Sequence, residues 1–202
     1  MRRLTASLAA CLALAGTPAF AEITIGVSVS GTGPGASLGV PIRNTVALLP
    51  QTVAGETVKY VILDDGSDPT GGTKIARKFA TEDKVDVIIG SSAVPVAQAQ
   101  AAIAMETRIP FIALCPIGID PAKQPFVFAV PQPVDLMIEA VAEHMKARGV
   151  KSVAFIGFSD PWGDLTYKGL ATAAEARGIK VTTNERYGRT DTSVAGQVLK
   201  IM

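Results

Sequence analysis

Short, continuous Val/Ile runs alternate with helix-period segments along nearly the whole chain, and that alternation limits its fold more than any other feature. Apolar runs at residues 23–30, 57–63, 85–89, 110–114 and 126–129, then at 153–158 and 180–183, read as strands. Most are unbroken rather than alternating, the pattern of parallel strands buried on both faces. Between them, residues 37–49, 70–81, 96–107, 134–148 and 165–177 carry helical periodicity. Arg148-Gly149 and Arg177-Gly178 supply glycine stop signals for two of these helices. The order predicts an α/β fold of doubly wound parallel sheets.

Pro131 and Pro133 interrupt any continuous element and mark an expected boundary. It separates an N-terminal ligand-binding lobe, 22–133, from a second lobe begun by 134–202. Two strands are too few to close a second lobe, and a last helical pattern from residue 193 reaches Met202 without a stop signal. The chain therefore reads as a C-terminally truncated fragment.

The first 21 residues read apart from the rest. Arg2 and Arg3 precede an apolar stretch over 4–16, and Ala19-Phe20-Ala21 gives the small-x-small pattern of a signal-peptidase site. The stretch is too short to span a bilayer core of about 30 Å. A secretory leader cut before Glu22 is expected, and with it a periplasmic location. A competing cut at Leu8-Ala9-Ala10-Cys11 would leave Cys11 lipidated, although only a short apolar run precedes it.

Removing the leader leaves Cys115 as the single cysteine, so no internal disulfide is available. Of 19 Lys+Arg the leader holds two, and the remainder nearly balances 18 Asp+Glu without any charged run. That excludes the basic footprint of a nucleic-acid binder. His144 is the only histidine and has no second ligand nearby, so no metal is expected and a solvated helix position is.

In open α/β sheets ligands bind outside the carboxyl ends of the strands, so the informative residues follow each strand. After the first comes Gly31-Thr32-Gly33-Pro34-Gly35, readable as a flexible turn or a ligand loop. Its spacing is one residue too long for a dinucleotide fingerprint, and Pro34 removes a donor. After the second, Gly66, Gly71 and Thr73 keep P-loop intervals, but Gly72 occupies the lysine position. That segment reads as a turn capping the next helix.

After the third strand, Ser91 or Ser92 is placed to cap a helix and to meet an anion at its N-terminus. After the fourth, Cys115-Pro116-Ile117-Gly118 offers an apolar wall. No neighbouring base activates Cys115. Trp162, the only tryptophan, falls in the polar loop Ser159-Asp160-Pro161-Trp162-Gly163, either as a core plug or as an aromatic lid. No Ser-His-acid set and no nucleophile elbow is present, so the loops look built to hold a ligand rather than to react with it.

These loops, in this order, resemble the branched-chain amino acid ABC-transporter substrate-binding proteins, the leucine/isoleucine/valine type of class I periplasmic binding protein. The matching stretches are 28–44 (with VSGTGPGASLGVPIRN), 62–68 (ILDDGSD), 82–92 (EDKVDVIIGSS), 109–113 and 155–163 (FIGFSDPWG). The resemblance implies a two-lobed, non-enzymatic receptor without cofactor. It would close on a small solute and deliver it to a membrane permease, acting as a monomer when full length.

Carried over by position, Ser91 and Ser92 would receive a ligand carboxylate, Leu38 would line the cleft, and Trp162 would cover the ligand. Cys115 and Ile117 fall where amino-acid binders offer a backbone carbonyl and a hydroxyl. Ile117 has no hydroxyl, which points from leucine, isoleucine or valine toward a more apolar carboxylate such as an aromatic acid. The family's acidic partner for an α-ammonium would lie beyond Met202. The contrasting classes are an extracellular ligand-sensing domain on the same fold and an NAD(P)-dependent oxidoreductase, which would need the missing fingerprint.

Overall fold

A computed structural model describes residues 22–202. The leader expectation and Cys11 lie outside those residues. Strands β1 (Ile23–Val29), β3 (Glu56–Asp64), β4 (Val87–Ile89), β5 (Phe111–Ala113) and β6 (Val127–Ala129) run parallel, in the order β3-β1-β4-β5-β6. A short strand, β2 (Thr52–Val53), adds antiparallel to the outer edge of β3 through a turn at Ala54-Gly55. Its two exposed residues gave no apolar signal, so the periodicity missed it.

The chain leaves β1 for β3 on one side and returns to β4 on the other. That reversal creates a switch point between the carboxyl ends of β1 and β4. Helices cover both faces: α1 (Ala36–Val46) packs on Val27 and Val29, while α2 (Pro69–Lys78) and α3 (Val94–Thr107) cover the opposite face. On that side Phe79, Ile88 and Phe111 are fully buried, with Ala97, Ala101 and Ala104 of α3 closing over them. Gly26 makes the packing possible, because a Cβ there would lie 2.8 Å from the Phe79 ring.

Past Pro133, α4 (Val134–Ala147) leads into β7 (Ser152–Phe158), α5 (Pro161–Glu175), β8 (Lys180–Tyr187) and α6 (Ala195–Ile201). β7 and β8 form a separate two-stranded parallel sheet. Gly149 and Gly178 follow α4 and α5 with φ of +73° and +67°, the left-handed turn that their stop signals predict. Arg177, just past the end of α5, reaches back to Glu139 and Glu143 on α4 and ties the two helices together.

One helix-start device occurs on both sheets. Asp68-Pro69-Thr70-Gly71 and Asp160-Pro161-Trp162-Gly163 each place Asp at the N-cap, Pro in the first turn, and the glycine N–H on the Asp carboxylate, at 2.7 and 3.1 Å. The device starts α5 at Pro161, so Trp162 belongs to the first helical turn and not to a polar loop, a correction to the sequence reading.

Candidate functional site

The loops at the carboxyl ends of five strands meet in one cleft of about 270 Å³. β1 sends Gly35 and Leu38, β4 sends Ser92, Ala93 and Val94, and β5 sends Cys115 and Pro116. From the two-stranded sheet come Phe158 and Trp162 after β7, and Arg189 after β8. The cleft therefore opens between the two sheets at the switch point of the larger one.

Of the residues expected at a site, Leu38, Ser92, Cys115 and Trp162 line this cleft. Leu38 projects from the first turn of α1 and is 58% exposed, unusual for a leucine with a core within reach. Trp162 packs against the core of the larger sheet while forming a cleft wall, so the plug and the wall are one side chain.

Ser91 and Ile117 stand elsewhere. The Ser91 hydroxyl is fully buried behind the cleft, 3.0 Å from Ser30 Oγ, and accepts a hydrogen bond from the Ala93 N–H at 3.3 Å. Ile117 is buried and turns toward a second cavity of about 350 Å³ beside Pro131, Pro133, Asp135 and Leu165. Neither serine caps α3 as expected. Ala93 is the N-cap residue, without a side-chain hydrogen bond, and Ser91 instead closes a tight local turn just before the helix.

The Ser92 hydroxyl oxygen is buried and has no hydrogen-bond partner among the described residues. A buried hydroxyl left unpaired costs about 1–3 kcal/mol, which makes it a natural contact for a polar atom entering the cleft. The amide ends of α3 lie beside it. Pro95 has no N–H, so Val94 and Val96 supply the donors of that first turn.

The glycine loop after β1 is tied to the turn after β3 by side-chain hydrogen bonds. Asp64 fills it: its carboxylate accepts from the Gly31, Thr32 and Gly66 N–H groups at 2.8, 3.2 and 2.9 Å. Partial burial raises its pKa, but the hydrogen bonds from Gly66, Thr32 and Gly31 outweigh that and hold it below the usual carboxylate value. Ser67 takes the Gly35 N–H and donates to the Thr32 carbonyl. A phosphate would find these donors occupied.

Beneath the cleft, Asp65 is buried and accepts from Ser28 Oγ and Ser30 Oγ, both at 2.8 Å, and from the Ser67 N–H at 2.9 Å. Burial pushes the Cys115 thiol up to about 12, with Arg189 opposing and Asp65 adding to the rise. A thiol so held stays protonated at neutral pH and is no nucleophile. Among the described residues no group of three His, Cys, Asp or Glu is placed to hold a metal ion, and His144 is exposed near the end of α4. No described helix is long and apolar enough to cross a membrane.

Phe158 and Arg189 are the functional candidates that sequence reasoning missed. The apolar signal of β8 stops at residue 183, which hides Arg189 from the sequence. The strand runs to Tyr187 through Asn184, Glu185 and Arg186, so the loop at its carboxyl end begins four residues later than its apolar signal. Applying the strand-end rule to the true end would have exposed it.

Residues 22–202 match the periplasmic binding protein family. Over 90 residues, 42% of this chain and 24% of the relative, the sequence is 36% identical to Leu/Ile/Val-binding protein homolog 1 of Brucella abortus (strain 2308). An extracellular ligand-binding receptor from Rhodopseudomonas palustris HaA2 is 45% identical with a TM-score of 0.87, covering 90% of this chain and 51% of that one. A solute-binding protein of an ABC transporter from Rhodopseudomonas palustris BisB5, in complex with 3,4-dihydroxybenzoic acid, shares the fold at 22% identity and a TM-score of 0.81. There 89% of this chain and 51% of that one are covered. The chain spans about half the length of the solved structures it matches. With strand ends from the two sheets converging on one cleft, and the match running from Glu22 to Met202, the chain belongs to the periplasmic binding protein family.

Proposed function

We propose that this chain carries the capture site of an exported solute-binding protein, which holds a small carboxylate between two lobes and presents it to an ABC permease. Residues 22–133 form the first lobe and 134–202 part of the second. The reading rests on one observation above the others: an unpartnered, buried Ser92 hydroxyl beside the α3 N-terminus, in a cleft walled elsewhere by apolar and aromatic groups and by Arg189. Such a site offers hydrogen-bond donors to an anion and apolar contact to the rest of a solute.

In this arrangement Ser92 and the α3 amides receive the carboxylate, and Ser91 holds that loop from behind. Leu38, Cys115, Phe158 and Trp162 enclose the body of the solute. Ligand then favours the closed arrangement by contacting both lobes at once, and the permease reads that closure. The site holds its ligand without reacting, as a monomer, with neither cofactor nor metal.

The Brucella relative's name favours a branched-chain amino acid, whereas the BisB5 protein holds an aromatic acid. A thermal-shift panel of L-leucine, L-isoleucine, L-valine, benzoate, 3,4-dihydroxybenzoate, succinate and NAD on the purified protein separates the classes. At a hundred times Kd a ligand adds about 2.7 kcal/mol, which for a chain this long raises Tm by roughly 5–10 °C. A rise with a monocarboxylate is the expected result. A rise with NAD alone, or with nothing in the panel, would sink the receptor reading.

A further inference from the structure

Among the described residues, Arg189 carries the only formal charge in the lining of the cleft. We infer that Arg189 is a further binding residue of the site: its free guanidinium edge joins Ser92 in binding the anionic group of the solute. The inference rests on reading the cleft as a solute site.

Two contacts fix the side chain and leave its fork open. The guanidinium carbon lies 4.2 Å from the centroid of the Phe158 ring, a stacked cation–π position. Its Nε donates to Asp160 Oδ2 at 2.5 Å. The other Asp160 oxygen, Oδ1, accepts the Gly163 N–H at 3.1 Å and caps α5, so the carboxylate that aims Arg189 is itself held by a helix start. Nη1 and Nη2 have no hydrogen-bond partner among the described residues.

A fork anchored at Nε and stacked on an aromatic face is prearranged for two parallel bonds to a carboxylate. It contrasts with Arg186 nearby, whose Nη1 is already bound to the Phe158 carbonyl at 2.8 Å and whose Nε is bound to Asn184. Arg186 holds the end of β7, whereas Arg189 has donors to spare.

The signs of the charges then decide the ligand class. Asp160 stands behind Arg189 and outside the lining, so the pair turns its positive end into the cleft. The α3 N-terminus adds positive potential on the other wall. An anion with an apolar body meets favourable groups at every point. The substrate class is a carboxylic acid whose remaining surface is apolar.

Paired ligands test this by calorimetry on the purified protein. Benzoate and benzamide share a shape and differ in charge, as do 4-methylpentanoate and its amide, and L-leucine is 4-methylpentanoate with an α-ammonium. Arg189→Gln should weaken the acids by about ten- to hundredfold and leave the amides within twofold. Arg189→Lys, which keeps the charge without the fork, should fall between and covers the case in which the glutamine variant does not fold. Equal losses for acid and amide would reduce Arg189 to a packing residue while leaving the receptor reading standing. If no acid, amide or amino acid in the set binds the wild type, that reading fails and takes this inference with it.

Discussion

Cys115 is 4% exposed at the carboxyl end of β5, and its thiol is held near 12 chiefly by burial. In the unfolded chain the same thiol ionises near about 8.5. Below that value both states keep the proton and the group leaves stability unchanged with pH. Above it the unfolded chain binds fewer protons than the folded one, so stability falls as pH rises, until the folded thiol also ionises. The slope from this group approaches about 1.4 kcal/mol per pH unit between those limits. Urea midpoints measured from pH 7 to pH 10 should decline more steeply for the wild type than for Cys115→Ala. Parallel declines would mean that the folded thiol titrates normally and is not sealed off. The absence of a neighbouring base, legible in the sequence, excluded a nucleophile; the burial that completes that exclusion depends on Trp162 and α3, which no local pattern places beside Cys115.

At the scale of elements, the turn between β3 and α2 is where local sequence and tertiary role meet. Asp68 capping α2 could be read directly, because the Asp-Pro-x-Gly signature is complete within four residues. The roles of Asp64 and Asp65 could not, since most of their partners lie on β1 and its loop, more than thirty residues away. Asp65 joins Ser28 and Ser30 of the β1 end to Ser67, and through Ser30 to Ser91 at the start of the α3 loop. Asp65→Ala would leave two buried hydroxyls and one N–H without their acceptor. We expect a loss of about 3 kcal/mol, read as a lower urea midpoint at unchanged m-value. Asp65→Asn, which keeps an acceptor oxygen, should restore part of it. A loss below about 1 kcal/mol for the alanine variant would mean that water takes the place of the carboxylate. The polar segment from Asn184 to Arg186 hid the end of β8 for a related reason: paired on one side only, with part of the strand exposed, it needs no unbroken apolar run to be a strand.

Across the whole molecule, core and cleft are divided unequally between the two sheets. Among the described residues, the buried apolar clusters draw their members from residues 27–127, and the later residues add only the partly buried Ala129 and Trp162 to them. The strand–helix alternation announced both sheets, yet nothing in a periodic pattern weighs one core against another. Opening free energies follow buried apolar contact, so the two parts should differ in hydrogen exchange. Amides of β1, β4 and β5 should exchange slowest, and those of β7, β8 and the loop over 188–191 several-fold to orders of magnitude faster. A solute held between Ser92 and Arg189 touches both parts, and its binding should slow the faster set most, because those segments have the most freedom left to lose. Exchange measured with and without a saturating monocarboxylate decides this: slowing confined to the α3 loop would place the solute on the larger sheet alone. Slowing at 158–163 and 188–191 together with 91–94 is the expected signature of a ligand bridging the cleft, and with it of closure driven by the solute.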